Sequence, residues 1–287
     1  MNYITKVKAN LSIYTNKKTS NILEGAYNSI YKGKSMNFED LREYVIGDDI
    51  KFIDWKASAR SNKILVKQYI AEKKHNILFI LDSGKKMLAD TEKLDSKKDV
   101  SIMTMGTISY LVDRHGDMVS AIFRGKDGIK YFPFKTGLNN IEKILNSYEK
   151  EIGTENNLEE LINYVLKLIR KKMIIFVLTD IDGMYNISEK TLKQLAYRHD
   201  VIFINISDTF ITGDNSFDIE KDCYIPKFFF EDKKLRKLEE DLRNNMKSDT
   251  ENKFQKNRIF TANIDSQKEI VNEVFKLLER RKHANIY

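Results

Sequence analysis

The chain has 287 residues, 41% of them hydrophobic, with 16 Phe and 14 Tyr; this supports a packed core and excludes global disorder. Its one cysteine, Cys223, excludes an intrachain disulfide and a Cys-rich zinc site, and fits a reducing compartment. Net charge is +7, unevenly spread: residues 1–74 carry 14 of the 49 Lys and Arg against 8 of the 42 Asp and Glu.

Residues 1–10 lack the apolar run of a signal peptide, and no stretch nears the roughly 20 apolar residues that cross a bilayer. A cytoplasmic chain is therefore expected, without membrane insertion. An electropositive arm attracts nucleic acid, anionic lipid or an acidic protein surface. The alternative is a lysine-rich solvated surface, since Lys and Arg here alternate with Glu and Asp.

In chain order, residues 63–70 alternate through Ile64, Val66, Gln68 and Ile70, predicting an edge strand ahead of the core. Residues 77–81 are continuously apolar, as in a parallel strand covered on both faces. A helix is predicted over 96–113, then strands at 118–123 and 129–134 joined by a turn between Gly125 and Gly128. Helices follow at 138–149 and 158–169, the second strongly amphipathic. Residues 173–178 form a second buried strand, followed by helix 188–198 and strand 201–206. An irregular excursion is expected over 207–230. Leu235, Leu238, Leu242 and Met246 mark a helix, 247–257 a polar mobile loop, 258–264 the last strand, and Ile270, Val274, Leu277 and Leu278 the closing helix.

Strands alternating with helices predict an α/β fold, a mostly parallel sheet with helices on both faces. The expected division is an arm over 1–75 and the α/β domain over 76–287. Ligands of such sheets bind at the carboxyl ends of the strands. Asp82 follows the first buried strand and Thr179-Asp180 the second, so the two carboxylates are expected to share one site.

These residues resemble the von Willebrand A fold and its metal-ion-dependent adhesion site. The first loop, Asp82-Ser83-Gly84-Lys85-Lys86, stands where the motif has Asp-x-Ser-x-Ser. Gly153-Thr154 matches the threonine position and Leu178-Thr179-Asp180 the last aspartate. Gly116-Asp117-Met118-Val119 is similar to the entry to the second strand. Upstream, Phe38 to Tyr44, Gly47-Asp48-Asp49 and Ile53 to Arg60 resemble the signature of family 58 of the domains of unknown function. The likeness runs from about Gly25 to the last helix. It implies a partner-binding protein, an adaptor or co-chaperone of a MoxR-type AAA+ ATPase, with no catalysis of its own.

The resemblance also implies Mg²⁺ held by hydroxyl and carboxylate oxygens, with near-octahedral ligation. Gly84 and Lys86 replace both serines, so no cofactor is favoured. Lys86 is expected to neutralise Asp82 and Asp180 as an internal substitute for the cation. The degenerate site, offered to a partner, comprises Asp82, Ser83, Lys86, Thr154 and Asp180; any metal would use Asp82, Thr154 and Asp180. In the arm, Arg42, Glu43, Tyr44, Gly47, Asp48, Asp49, Asp54, Trp55 and Arg60 form either a partner surface or an ion-pair network clamping the arm to the core.

Two rival functions stay open. A metal-dependent phosphohydrolase would use Asp82 and Asp180, but no His or further carboxylate cluster completes it, although Asp182 is close in sequence. Nucleic-acid binding would use Tyr27, Tyr31 and Phe38 interleaved with Lys32 and Lys34. His75, His115, His199 and His283 lack metal-ligand spacing.

Overall fold

The computed structural model describes residues 2–14, 40–68, 75–210, 217–218, 223–224 and 232–284. The first helix, α1 (Tyr3–Tyr14), precedes a small unit made of β1 (Asp40–Glu43), a 3-10 turn (Ile50–Phe52), α2 (Trp55–Ser61) and β2 (Leu65–Gln68). The main body follows: β3 (Asn76–Leu81), α3 (Lys97–Arg114), β4 (Met118–Gly125), β5 (Gly128–Lys135), α4 (Leu138–Glu151) and α5 (Leu158–Leu168). It continues with β6 (Ile174–Thr179), α6 (Ile181–Tyr185), α7 (Glu189–Arg198) and β7 (Asp200–Ile206). Last come the two-residue strands β8 (Phe217–Asp218) and β9 (Cys223–Tyr224), then α8 (Lys233–Lys256), β10 (Phe260–Ile264) and α9 (Ile270–Ala284).

Six strands form one sheet in the order β10-β7-β6-β3-β4-β5. All pairs are parallel except β4 with β5, where the Gly125–Gly128 turn folds the chain straight back. The period-two alternation of a strand sorts β3 between two cores. Ile77, Phe79 and Leu81 pack with α1, α3, α4 and α9, while Leu78 and Ile80 pack with α5 and α7. The fully apolar run 77–81 is thus required by helices on both faces, as predicted.

The helix starts are chemically marked. Asn157 accepts from the Glu160 amide at 3.1 Å and Ser188 from the Thr191 amide at 3.3 Å, contacts worth about 1 kcal/mol each. The helix α3 lies buried along most of its length, and small residues make that possible. A Cβ at Gly106 would meet Cγ2 of Val7 at 2.8 Å, so glycine lets α1 cross α3 closely.

Three expectations are corrected. Residues 3–14 belong with the core instead of an arm over 1–75, because Tyr3, Ile4 and Val7 are buried there and the Tyr3 and Ile4 amides both donate to Glu142 at 2.8 Å. Residues 247–257 are not a polar loop: α8 continues to Lys256, because Phe254 is buried against Phe203, ring centroids 4.7 Å apart. The strand at 65–68 does not extend the main sheet; it pairs antiparallel with β1 in a sheet of its own. The excursion at 207–230 contains a short antiparallel pair, β8 with β9, though most of it lies outside the described residues. The side chain of Cys223 and all of Tyr27, Tyr31, Lys32, Lys34, Phe38 and Ile70 also lie outside them.

No helix among the described residues is long and apolar enough to cross a membrane.

Candidate functional site

The order of the sheet reverses between β3 and β6, the position where open α/β sheets form a crevice at their carboxyl ends. Asp82 leaves β3 and Asp180 leaves β6, so the two carboxylates face each other across that switch point. Asp208, just beyond β7, adds a third from the next strand. Asp82 and Asp180 are buried, and each must therefore be satisfied by the protein itself.

Asp82 meets this by saturating both oxygens. Its Oδ1 accepts from the Gly84 amide at 2.9 Å and from Asn156 Nδ2 at 2.8 Å, and its Oδ2 from Thr179 Oγ1 at 2.6 Å. The Asp82 carbonyl accepts from the buried Tyr148 hydroxyl at 2.5 Å, and burial pushes that phenol well above its ordinary value. Asp180 caps α6, accepting from the Gly183 amide at 2.8 Å.

Two ammonium groups complete the cluster. Lys86 Nζ lies 2.7 Å from Asp180 Oδ1, 3.3 Å from Asp82 Oδ2 and 3.6 Å from Asp182 Oδ2. Lys97, with its side chain 0% exposed, donates to Asp180 Oδ2 at 2.8 Å and also pairs with Asp208. Burial pushes Asp180 up, but Lys97 and Lys86 outweigh it and hold the group at about 2. Burial also opposes the charge of Lys86, yet Asp82 and Asp180 keep its ammonium above the ordinary lysine range. For Asp208 burial dominates, lifting it above the usual carboxylate value despite Lys97.

Glycine at 183 is dictated by this arrangement. A Cβ there would stand 2.0 Å from Thr179 Oγ1 and 2.8 Å from Lys86 Nζ.

The sequence-predicted residues divide. Asp82, Lys86 and Asp180 are brought into contact. Ser83 is adjacent but donates its hydroxyl to the Arg124 carbonyl at 2.7 Å. Thr154 enters the loop cluster by a backbone bridge to Gly84, and its hydroxyl faces Ser83 and the Arg124 carbonyl at 3.3–3.4 Å. Thr179 supplies the hydroxyl that reaches Asp82.

Lys97, Asn156, Tyr148 and Asp208 were missed. Lys97 carried one usable signal: it opens α3 directly after the Ser96 cap, where the helix dipole disfavours a cation. A lysine placed there implies a dedicated carboxylate.

The Mg²⁺ that the fold implies does not fit this donor set. Both serine hydroxyls of the motif are missing, Ser83 and Thr154 face elsewhere, and the Lys86 ammonium stands between the carboxylates. Mg²⁺ needs six oxygens at about 2.0–2.1 Å. Among the described residues, no group of three or more His, Cys, Asp and Glu side chains is arranged to hold a metal ion.

In the small unit at 40–68, Arg42 grips Asp48 with two parallel bonds, 2.6 and 2.5 Å long. Asp48 also accepts from the Val45 amide at 3.0 Å, closing the turn at Gly47, whose φ is +110°. Asp49 pairs with Lys51 at 2.7 Å, Glu43 pairs with Lys63, and Asp54 caps α2 through the Ala57 amide at 3.0 Å. The Tyr44 amide donates to the Ile64 carbonyl at 2.8 Å. Each of these bonds joins two residues of the unit itself. Trp55 and Arg60 are exposed on α2.

The sheet order and the switch-point carboxylates define a von Willebrand A-like domain. The profile of the family described as protein of unknown function DUF58 matches residues 40–210, more than half of the chain. The chain belongs to that family.

Uncharacterized proteins of Mycobacterium bovis and Mycobacterium tuberculosis are 22% identical to it over 202 residues, 69% of this chain. The match spans 63% of the length of those relatives. Among solved structures, it is similar to an aerotolerance-related membrane protein of Bacteroides fragilis, at 13% identity and TM-score 0.46, covering 72% of this chain and 99% of that one. It is also similar to the SpRpn10 VWA domain, at 10% identity and TM-score 0.35, covering 70% and 95%. At these scores the fold is defined by its own strand order.

Proposed function

We propose that this chain is a non-catalytic protein-interaction module, an adaptor or co-chaperone of a MoxR-type AAA+ ATPase. The observation that carries the interaction reading is the surface of the unit at 40–68. Ile46 is 96% exposed and Val45 62% in the turn after β1, Ile50 65% in the 3-10 turn and Trp55 65% at the start of α2, in a unit that carries internal ion pairs. Large apolar side chains displayed on a pre-shaped scaffold are what protein interfaces are built from. The choice of ATPase comes from the family resemblance alone.

The chemistry of the switch-point cluster supports the non-catalytic half. Asp82 has donors on both oxygens and Asp180 is held by two ammonium groups, so acting as nucleophile or base would mean breaking buried bonds first.

The test is affinity capture from a native lysate of the source organism, with and without ATP and Mg²⁺, read by mass spectrometry. Specific recovery of a MoxR-type ATPase by the wild type, and its loss with Ile46→Ser/Trp55→Ala, supports the proposal. Recovery that the double variant leaves unchanged, or no ATPase under any condition, refutes it. Turnover of a phosphoester with Mg²⁺ or Mn²⁺, abolished in Asp82→Ala, would establish the hydrolase instead.

A further inference from the structure

We infer that the Lys86 ammonium is the resident cation of the switch-point site, shutting divalent ions out, and that removing it releases a latent divalent-cation site on Asp82, Asp180 and Asp182. This goes beyond the adaptor reading, with which it shares only the loop cluster.

The geometry carries the inference. Lys86 Nζ lies within 4 Å of all three carboxylates, at 3.3, 2.7 and 3.6 Å. It is pinned from below as well, since the Gly183 backbone lies so close that a Cβ would come within 2.8 Å of it. Lys97 offers no relief, because its ammonium holds the other oxygen of Asp180 and is shared with Asp208. With Lys86 gone, Asp82 and Asp180 remain buried, Asp182 stays at the mouth, and Lys97 is balanced by Asp208.

Three negative charges would then surround a space vacated by one positive charge. Asp82 would keep its three hydrogen bonds and Asp180 its bond to Lys97, but losing the countercharge they share is costly, and a divalent ion from solution is a direct replacement. From their present 2.7, 3.3 and 3.6 Å, the three oxygens would move inward by about 0.6–1.5 Å to reach an ion at roughly 2.1 Å.

The experiment is a titration of the full chain with Mn²⁺ alone, followed by calorimetry and by the electron paramagnetic resonance of free Mn²⁺. The wild type is expected to show no saturable site. Lys86→Ser is expected to bind one equivalent at least about tenfold more tightly than any wild-type binding, and to lose it when Asp180→Asn is added.

A stoichiometric wild-type site abolished by Asp82→Asn overturns the inference. So does a folded Lys86→Ser protein that binds nothing. Should Lys86→Ser be unfolded in metal-free buffer, recovery of its helical circular dichroism on adding Mn²⁺ supports the inference and lack of recovery overturns it. No partner protein is present in this titration. Its failure leaves the adaptor proposal intact, and a failed capture leaves this one intact.

Discussion

Lys86 and Asp180 stand 94 positions apart in the chain, yet the ammonium of one lies 2.7 Å from a carboxylate oxygen of the other. Their meeting depends on β3 and β6 being neighbours in register, Leu81 beside Leu178. The pair is therefore a readout of correct sheet order, and disturbing it reports on the fold as well as the site.

The buried partner, Lys97, gives the sharpest stability test. Lys97→Met removes an ammonium with no solvent exposure and leaves Asp180 and Asp208 without it. Breaking a buried ion pair from one side costs about 3–5 kcal/mol. Urea unfolding should show that loss, and adding Asp208→Asn should restore part of it. Full additivity of the two changes would mean that Lys97 and Asp208 are not coupled.

Gly183→Ala should destabilise by about 1–3 kcal/mol, the usual cost of overpacking a tight interior. The new methyl collides with the Thr179 hydroxyl, so Thr179→Ala should make the second substitution cheaper. Thermal melts of the two single variants and the double variant give the comparison. A double variant as unstable as the sum of the singles would contradict the close approach.

Acid should weaken the cluster from the Asp180 side. Its folded-state value, about 2, lies below the ordinary 3.8, so the stabilisation is whole above about pH 4 and is lost as pH falls toward 2. The expected loss is about 2 kcal/mol. Asp208, raised by burial, runs in the opposite direction and gains on protonation, so Asp180→Asn is the clean comparison. Denaturant midpoints between pH 2 and 5 should depend less on pH in that variant.

A second acid-sensitive group sits far from the site. His199 is buried at the end of α7, and neither ring nitrogen has a hydrogen-bond partner among the described residues. Burial, with Arg198 and Lys172 nearby, depresses its value below 6.5. Below pH 6.5 the unfolded chain takes up a proton that the folded chain resists, so stability falls as pH falls. His199→Leu should flatten the stability profile between pH 7 and 5; an unchanged slope would exclude this histidine as its source.

The sequence made the sheet legible because its central strands are covered on both faces. Runs such as 77–81 and 173–178 admit no polar residue, and motif spacing placed Asp82 and Asp180 at their ends. Substitution of both motif serines made Lys86 readable as a cation. Lys97 and Asp208 were hidden because their partners come from other elements, and a lone Lys or Asp carries no periodicity. Residues 247–257 misled because one buried aromatic, Phe254, secures an otherwise polar helical turn, a tertiary contact that composition does not reveal.

The docking of α1 has a topological consequence. Helix α1 is wedged against α3 at Gly106 before the chain reaches residues 40–68, and β3 starts at Asn76 after it leaves them. In chain order, residues 40–68 thus fall between two elements that are built into the core, α1 and β3. The strand β3 is the next described element after that unit, and Asp82 follows its last residue, Leu81. One strand therefore links the family-signature segment to the lysine-filled cluster in the order of the chain.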